Sequence, residues 1–307
     1  MDFFFRNRNL FILHFTVLIW GFTGVLGGLI SIAALPLVWY RVFIAAISLF
    51  IYIKITRKNM QVPLGRMLQF IGVGLLVGMH WVLFFHAIKV STVSVTLVSL
   101  SSLTLFTAIL EPLFSHKKLA IDDIIVGLCI ILGIYLIFTF EFQYWQGIVF
   151  GLLAALCASI FSICNSKLVK KDNPVIITFY EMVGAFLGLS LILLCTQGFN
   201  AAMDLSLADL FYLLLLGSVC TAFAYALGVA VMKELSAFTV ALITNLEPVY
   251  GIMLAMLILK QNEVMSTGFY LGAIIILAAV FLYPLVKTRL ATQHKKNKTM
   301  PVEQHLK

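Results

Sequence analysis

Charge is what this sequence has least of. Asp, Glu, Lys and Arg make up 11% of its 307 residues, and only 13 of them are acids. Soluble domains carry about 25% charged residues. So few charges cannot clothe a water-facing surface. The shortage of acids also weighs against an enzyme built on clustered carboxylates: HExxH does not occur, and Asp122-Asp123 is the one adjacent acidic pair. No ATP-binding motif is present. The five cysteines (Cys129, Cys157, Cys164, Cys195, Cys220) lie in apolar runs without CxxC spacing, so they read as small buried residues rather than metal or redox groups. No cofactor is expected. No small-residue cleavage site follows the first apolar run, which is therefore expected to stay as an anchor.

What the chain does have is oil. Apolar residues reach 62%, and mean hydropathy is +1.07. Runs with the roughly 20 apolar residues needed to cross a bilayer fall at 10–30, 36–56, 67–88, 91–115, 121–140, 147–166, 174–196, 209–232, 235–259 and 265–286. Each is predicted to be helical, because a segment in lipid must satisfy its own backbone groups. The expected fold class is an all-α polytopic membrane protein with ten transmembrane helices. The basic residues agree. With the N-terminus inside, 18 of the 21 Lys and Arg residues fall on the cytoplasmic side; only Lys89 and Lys260 lie outside, and Arg41 lies within a span. That distribution, rather than nucleic acid, accounts for the net charge of +8. Both termini are then cytoplasmic, and 287–307 is a basic tail suited to fixing topology, near anionic lipid.

Ten spans divide into five and five, 1–140 and 141–286, and an odd number per half turns the second half upside down. Traces of such an inverted repeat are present. Lys89-Val-Ser-Thr92 and Lys233-Glu-Leu-Ser236 each join two spans, with a hydroxyl placed to cap the next helix. Pro36 … Tyr40-Arg41 is matched by Pro174 … Tyr180-Glu181. Inverted repeats are common in secondary transporters, which hold substrate near the midplane where the halves meet. GxxxG pairs such as Gly74/Gly78 and Gly184/Gly188 fit close helix packing.

Ionisable groups inside spans are costly, about 2.5–3.5 kcal/mol for a charge at the centre, so they are the candidates for function. Glu247 is the thirteenth of the 25 residues from Leu235 to Leu259 and their only charge. Pro248 follows it and lacks an N–H, so the Thr244 carbonyl loses its helical partner and a kink is predicted. Asn245 lies beside that kink. Together they suit a cationic or amino group, or a proton. His80 is similarly central, with Phe84 on the same helical face; it suits substrate contact, proton relay or simple packing. Arg41 lies near the outer end of its span, within snorkelling reach of the surface, and Glu181 is its counterpart in the second half. Both are gate candidates. So is Glu111, which with Pro112 repeats the Glu-Pro pair near the cytoplasmic end of its span.

The strings LIWGFTGVLG, Pro36 … Arg41, HWVLFFHAIKVSTVSVTLVSL and TNLEPVYGIMLAMLIL resemble the EamA-type branch of the drug/metabolite transporter superfamily over residues 10–286, closest to bacterial inner-membrane members. The resemblance implies a ten-helix inverted repeat around a cavity lined by helices 3, 4, 8 and 9. It implies alternating-access export or exchange of amino acids, related metabolites or drug-like compounds, as a monomer or homodimer. Carried over by position, substrate-binding candidates are His80, Trp81, Phe84, Ser99 and Ser102 from the first half, and Tyr225, Asn245, Glu247 and Tyr250 from the second. One departure stands out: where many members have a Ser/Thr-Pro step in helix 4, this chain reads Ser101-Ser102-Leu103-Thr104, with proline only at Pro112, so the halves are expected to be unequal. The partners implied are a small-molecule substrate, the bilayer and protons. An intramembrane enzyme on a lipid-linked substrate, or a channel, is the alternative class.

Overall fold

The computed structural model describes residues 8–115, 121–279 and 281–282, and they form helices joined by short turns. Three unbroken helices come first: α1 (Arg8–Leu29), α2 (Ala34–Ile55) and α3 (Leu64–Val90). The next span, Val93–Phe114, is split into α4 (Val93–Leu100) and α5 (Leu103–Phe114). Then come α6 (Ile121–Phe140), α7 (Trp145–Leu168) and α8 (Pro174–Cys195). Leu207–Val231 starts as α9 (Leu207–Leu215), widens to a π-helix over Leu216–Phe223 and ends as α10 (Ala224–Val231). Ala237–Ile258 is split into α11 (Ala237–Thr244) and α12 (Leu246–Ile258). A shorter apolar helix, α13, covers Thr267–Ala279.

Eight of these spans are long and apolar enough to cross a membrane. The other two expected segments, 121–140 and 265–286, contain α6 and α13, whose apolar stretches Val126–Phe140 and Thr267–Ala279 are shorter than the eight spans. The basic tail at 287–307, together with Arg6, Lys117 and Lys118, lies outside the described residues. Large apolar side chains such as Phe15, Ile51, Leu191 and Leu257 point outward, where lipid rather than water is the solvent that accepts them.

The helix starts follow from local chemistry. Thr92 and Ser236 each accept a hydrogen bond from the N–H three residues on, at 3.1 Å, which is the capping expected from the two lysine–hydroxyl turns. Remote carboxylates add to these caps by meeting the positive end of the helix dipole. Glu263 accepts from the Val93 and Ser94 N–H groups at 2.9 and 2.8 Å, and Glu111 accepts from the Phe238 N–H at 2.8 Å.

Both split spans break at the same place. α4 and α11 are each 8 residues long, and the breaks fall at Ser101-Ser102 and at Asn245. Proline is therefore not required: Ser101-Ser102 breaks without one, while Pro112 sits inside α5 without interrupting it. At both points the chain tightens into three-residue turns, Ser101 N–H to Val98 O at 3.1 Å and Asn245 N–H to Leu242 O at 3.3 Å. The missing proline therefore does not abolish the break in the first of these two spans. The physical reason is that serine hydroxyls compete for backbone carbonyls: Ser102 Oγ donates to the Ser99 carbonyl at 2.8 Å, across the break.

Glycine sets the closest helix approach. A Cβ on Gly74 would collide with the Glu181 carbonyl, and one on Gly184 would lie 2.5 Å from the Ile71 carbonyl oxygen. Backbone atoms on α3 and α8 cannot yield, so only glycine fits at either position. The main apolar cluster joins α1, α2, α3, α7 and α8 with the helices that carry the breaks, while α6 and α13 form a smaller cluster with Val95, Val98 and Ile148.

Candidate functional site

The helices enclose a cavity of about 80 Å³ between the two halves of the chain. A water needs about 10–15 Å³ of such space, so the cavity holds several waters or one small solute. Its polar lining is sparse. Thr23 comes from α1, Arg41 from α2, His80 from α3, Ser162 and Asn165 from α7, Thr244 from α11 and Glu247 from α12. The rest of the wall is mainly aromatic and aliphatic, including Trp20, Trp81, Phe84, Phe161 and Tyr225.

Arg41 is the anchor of the site. It is only 2% exposed and turns inward rather than snorkelling to the surface. Its Nε donates to Thr221 Oγ1 at 2.6 Å, and its guanidinium carbon stands 3.9 Å from the centre of the Trp81 ring. Desolvation strengthens a cation–π contact of this kind. Thr221 can accept because it lies on the π-helical stretch, where its own hydroxyl donates to the Leu216 carbonyl five residues back at 2.7 Å. The wider turn thus aims a hydroxyl at Arg41, and such π segments recur at functional positions. Arg41 Nη1 has no hydrogen-bond partner.

Glu247 lines the same cavity, at the start of α12. Among the described residues no ion pair joins it to Arg41. The two opposite charges face one space without closing on each other. A second, much smaller space adjoins Glu247 on the side of the breaks, lined by Leu97, Ser101, Leu103, Asn245 and Pro248.

Of the other candidates read from the sequence, His80, Trp81, Phe84 and Tyr225 line the cavity. His80 Nδ1 is 2.8 Å from the Ala154 carbonyl, which fixes its ring against α7. Tyr225 accepts a hydrogen bond from Asn165 Nδ2 at 3.0 Å and packs edge-on to Trp81. Ser99 and Ser102 are buried away from the cavity, with their hydroxyls spent on backbone carbonyls at 2.8 Å. Asn245 reaches across to Thr104 Oγ1 and to the Ala241 carbonyl, tying the two breaks together. Tyr250 is half-buried, and its Cβ packs where α1 passes at Gly21. Glu111 is taken up in capping α11. Glu181 is fully buried on α8, beside Asn165 and Tyr225 and behind the cavity wall.

Several polar groups at the site were not among those candidates: Thr23, Ser162, Asn165 and Thr244 line the cavity, and Thr221 holds Arg41. An uncharged amide in the apolar stretch of α7 was a signal for Asn165. Nothing local signalled Thr221, because its role depends on a backbone register that the residue string does not encode.

Comparison with known proteins agrees with this architecture. An uncharacterized transporter, YoaV, of Bacillus subtilis (strain 168) is 24% identical over 276 residues, spanning 86% of this chain and 92% of its own. One solved crystal structure shares the fold, with a TM-score of 0.68 at 14% identity, covering 92% of this chain and 98% of its own. The sequence model of the EamA-like transporter family matches twice, over residues 8–139 and again over 145–284, so the chain is a multi-pass membrane transporter protein that belongs to the EamA-like transporter family.

Proposed function

We propose that this protein is a secondary transporter that carries small zwitterionic solutes, amino acids and related metabolites, through the Arg41–Glu247 cavity by alternating access. One observation carries the reading: a buried guanidinium and a buried carboxyl line a single cavity without pairing. An unpaired charge in such a place is expensive, and a solute bearing both a carboxylate and an ammonium relieves both costs at once. In this reading the Arg41 guanidinium, whose Nη1 has no partner, takes the carboxylate, Glu247 takes the ammonium, and the aromatic walls take an apolar side chain. Drug-like amphiphiles fit the same wall less well, because they leave one charge without a partner.

In this reading the chain forms ten helices in two inverted five-helix halves, 1–140 and 141–286, in the inner membrane with both termini cytoplasmic. Support comes from the matching breaks of the two split spans and from the one-sided placement of the basic residues. The remaining site candidates follow. His80, Trp81, Phe84 and Tyr225 contact solute. Ser99, Ser102, Asn245 and Tyr250 hold the helices that move, and Glu111 latches α11 at one end. An intramembrane enzyme or a channel is the alternative reading, which counterflow of labelled amino acids separates from a transporter.

The test is counterflow of labelled amino acids into liposomes containing the purified protein. Saturable exchange of chemically unchanged amino acid supports the reading. Product formation, or flux that does not saturate, overturns it in favour of an enzyme or a channel.

A further inference from the structure

A second buried carboxyl stands apart from the solute cavity and is not used by the function just described. Glu181 is 0% exposed, at the place where α8 meets α3 so closely that Gly74 is obligatory. Neither of its oxygens makes a well-formed hydrogen bond, and Asn165 Oδ1 lacks a partner as well. The neighbours that face it are few. Cys164 and Asn165 come from α7 and Tyr225 comes from α10. Opposite, α3 presents the backbone at Ile71 and Gly74. Arg41, the buried cation of α2, is held against Thr221 and Trp81 instead.

The hydrogen-bond inventory of this cluster is short of donors. Asn165 Nδ2 donates to Tyr225 Oη at 3.0 Å. That leaves three acceptor atoms, the two carboxyl oxygens of Glu181 and the amide oxygen of Asn165, against two uncommitted donors, the second Asn165 Nδ2 hydrogen and the Tyr225 hydroxyl hydrogen. An ionised carboxylate can only accept, and a buried one without a cation or enough donors is costly. A proton added to Glu181 turns one of its oxygens into a donor for Asn165 or Tyr225, and the Tyr225 hydroxyl can then serve the other oxygen. The carboxylate becomes a carboxylic acid, and no other bond changes.

We propose that Glu181, with Asn165 and Tyr225, is a proton-binding site separate from the Arg41–Glu247 cavity and coupled to it through two shared wall residues. Asn165 and Tyr225 belong to both sites: they face Glu181 on one side and line the solute cavity on the other. Loss of the proton leaves the cluster one donor short of its acceptor atoms. The Asn165 amide must then turn its N–H groups toward the carboxylate, which releases Tyr225 and changes the cavity wall. The ligand is a proton, and the device links its binding to that of the solute. Only the coupling rests on the transporter reading; the proton site itself does not.

The test therefore begins without any solute. The infrared absorption of protonated carboxyl groups is recorded on purified protein titrated from acid to alkaline pH. Wild type is expected to show a protonated-carboxyl component that Glu181→Gln removes and Glu247→Gln leaves in place. Tyr225→Phe is expected to shift that same component, because its hydrogen-bond partner is gone. If Glu181→Gln retains the full carboxyl signal, the site is overturned. Should Glu181→Gln not fold, Glu181→Asp is expected to keep a component of altered position and midpoint, and an unaltered component overturns the proposal equally. In liposomes, Glu181→Gln is expected to lose amino-acid accumulation driven by a pH gradient while retaining counterflow. Accumulation that follows a pH gradient in this variant as in wild type overturns the coupling. Failure of counterflow in wild type would sink the transporter reading and leave the infrared result standing.

Discussion

The spans Val93–Phe114 and Ala237–Ile258 make an instructive pair. Both have 22 residues, both start at a hydroxyl cap, and both break after 8 residues. Counted from the start of each span, Leu103 and Thr104 of the first occupy the same positions as Glu247 and Pro248 of the second. The backbone event is shared and the chemistry is not. A break in a membrane helix is thus separable from the charge placed beside it. The break at Asn245 falls where the kink was expected, and Pro248 lies in the first turn of α12, where its missing N–H has no intrahelical role. What distinguishes the second span is the carboxyl that reaches the cavity from its first turn. Leu103 reaches the same cavity from the first span.

The sharpest way to stress this comparison is to exchange the chemistry while keeping the shape. Glu247→Gln is expected to reduce amino-acid counterflow by about 10- to 100-fold, the loss of a charged hydrogen bond worth ~1.5–3 kcal/mol. Leu103→Met, at the matching place, is expected to leave flux within about threefold, since volume and polarity are kept. Equal losses in the two variants would mean that the site does not distinguish its halves.

A smaller effect tests whether the breaks act as a unit. Asn245 donates to Thr104 Oγ1 from one break to the other. Asn245→Ala and Thr104→Val are each expected to lower stability by about 1–3 kcal/mol, because a buried partner is left unsatisfied. Thermal unfolding of the double variant should then fall short of the sum by at least ~0.5 kcal/mol. Strict additivity would show that the two breaks are independent.

The smallest effect is expected from the residue that looks most disruptive in the sequence. Pro248→Ala should change thermal stability by less than the loss of a helix cap, which is about 1 kcal/mol. The break at Asn245 should survive, as judged by cross-linking of cysteine pairs placed on α11 and α12. A straightened helix in that variant would restore proline as the cause and undo the parallel with Ser101-Ser102.

Much of the architecture was legible in the chain. Apolar runs and scarce charges marked the spans, because length and hydropathy are local properties. The caps at Thr92 and Ser236 could be read for the same reason: a hydroxyl three residues before an N–H needs no distant partner. The candidate site was legible only in part. His80, Trp81, Phe84, Tyr225 and Glu247 meet at the cavity. Ser99 and Ser102 do not, since a hydroxyl in an apolar helix satisfies itself on the preceding turn. Asn245 turns to the neighbouring break instead.

The sequence by itself determined that this is a helical membrane protein, where its spans lie, and which few ionisable groups must be buried. Those follow from composition and from the backbone's need to satisfy its own hydrogen bonds in lipid. Only the tertiary structure decided which of those groups face each other. Arg41 has the reach to snorkel outward or to turn inward, and the choice falls inward because a π-helical turn far along the chain offers Thr221 and α3 offers the face of Trp81. Glu181 is set apart from Glu247 by a glycine contact between α3 and α8. Neither outcome is encoded near the residue it concerns, because both depend on how two distant helices happen to pack.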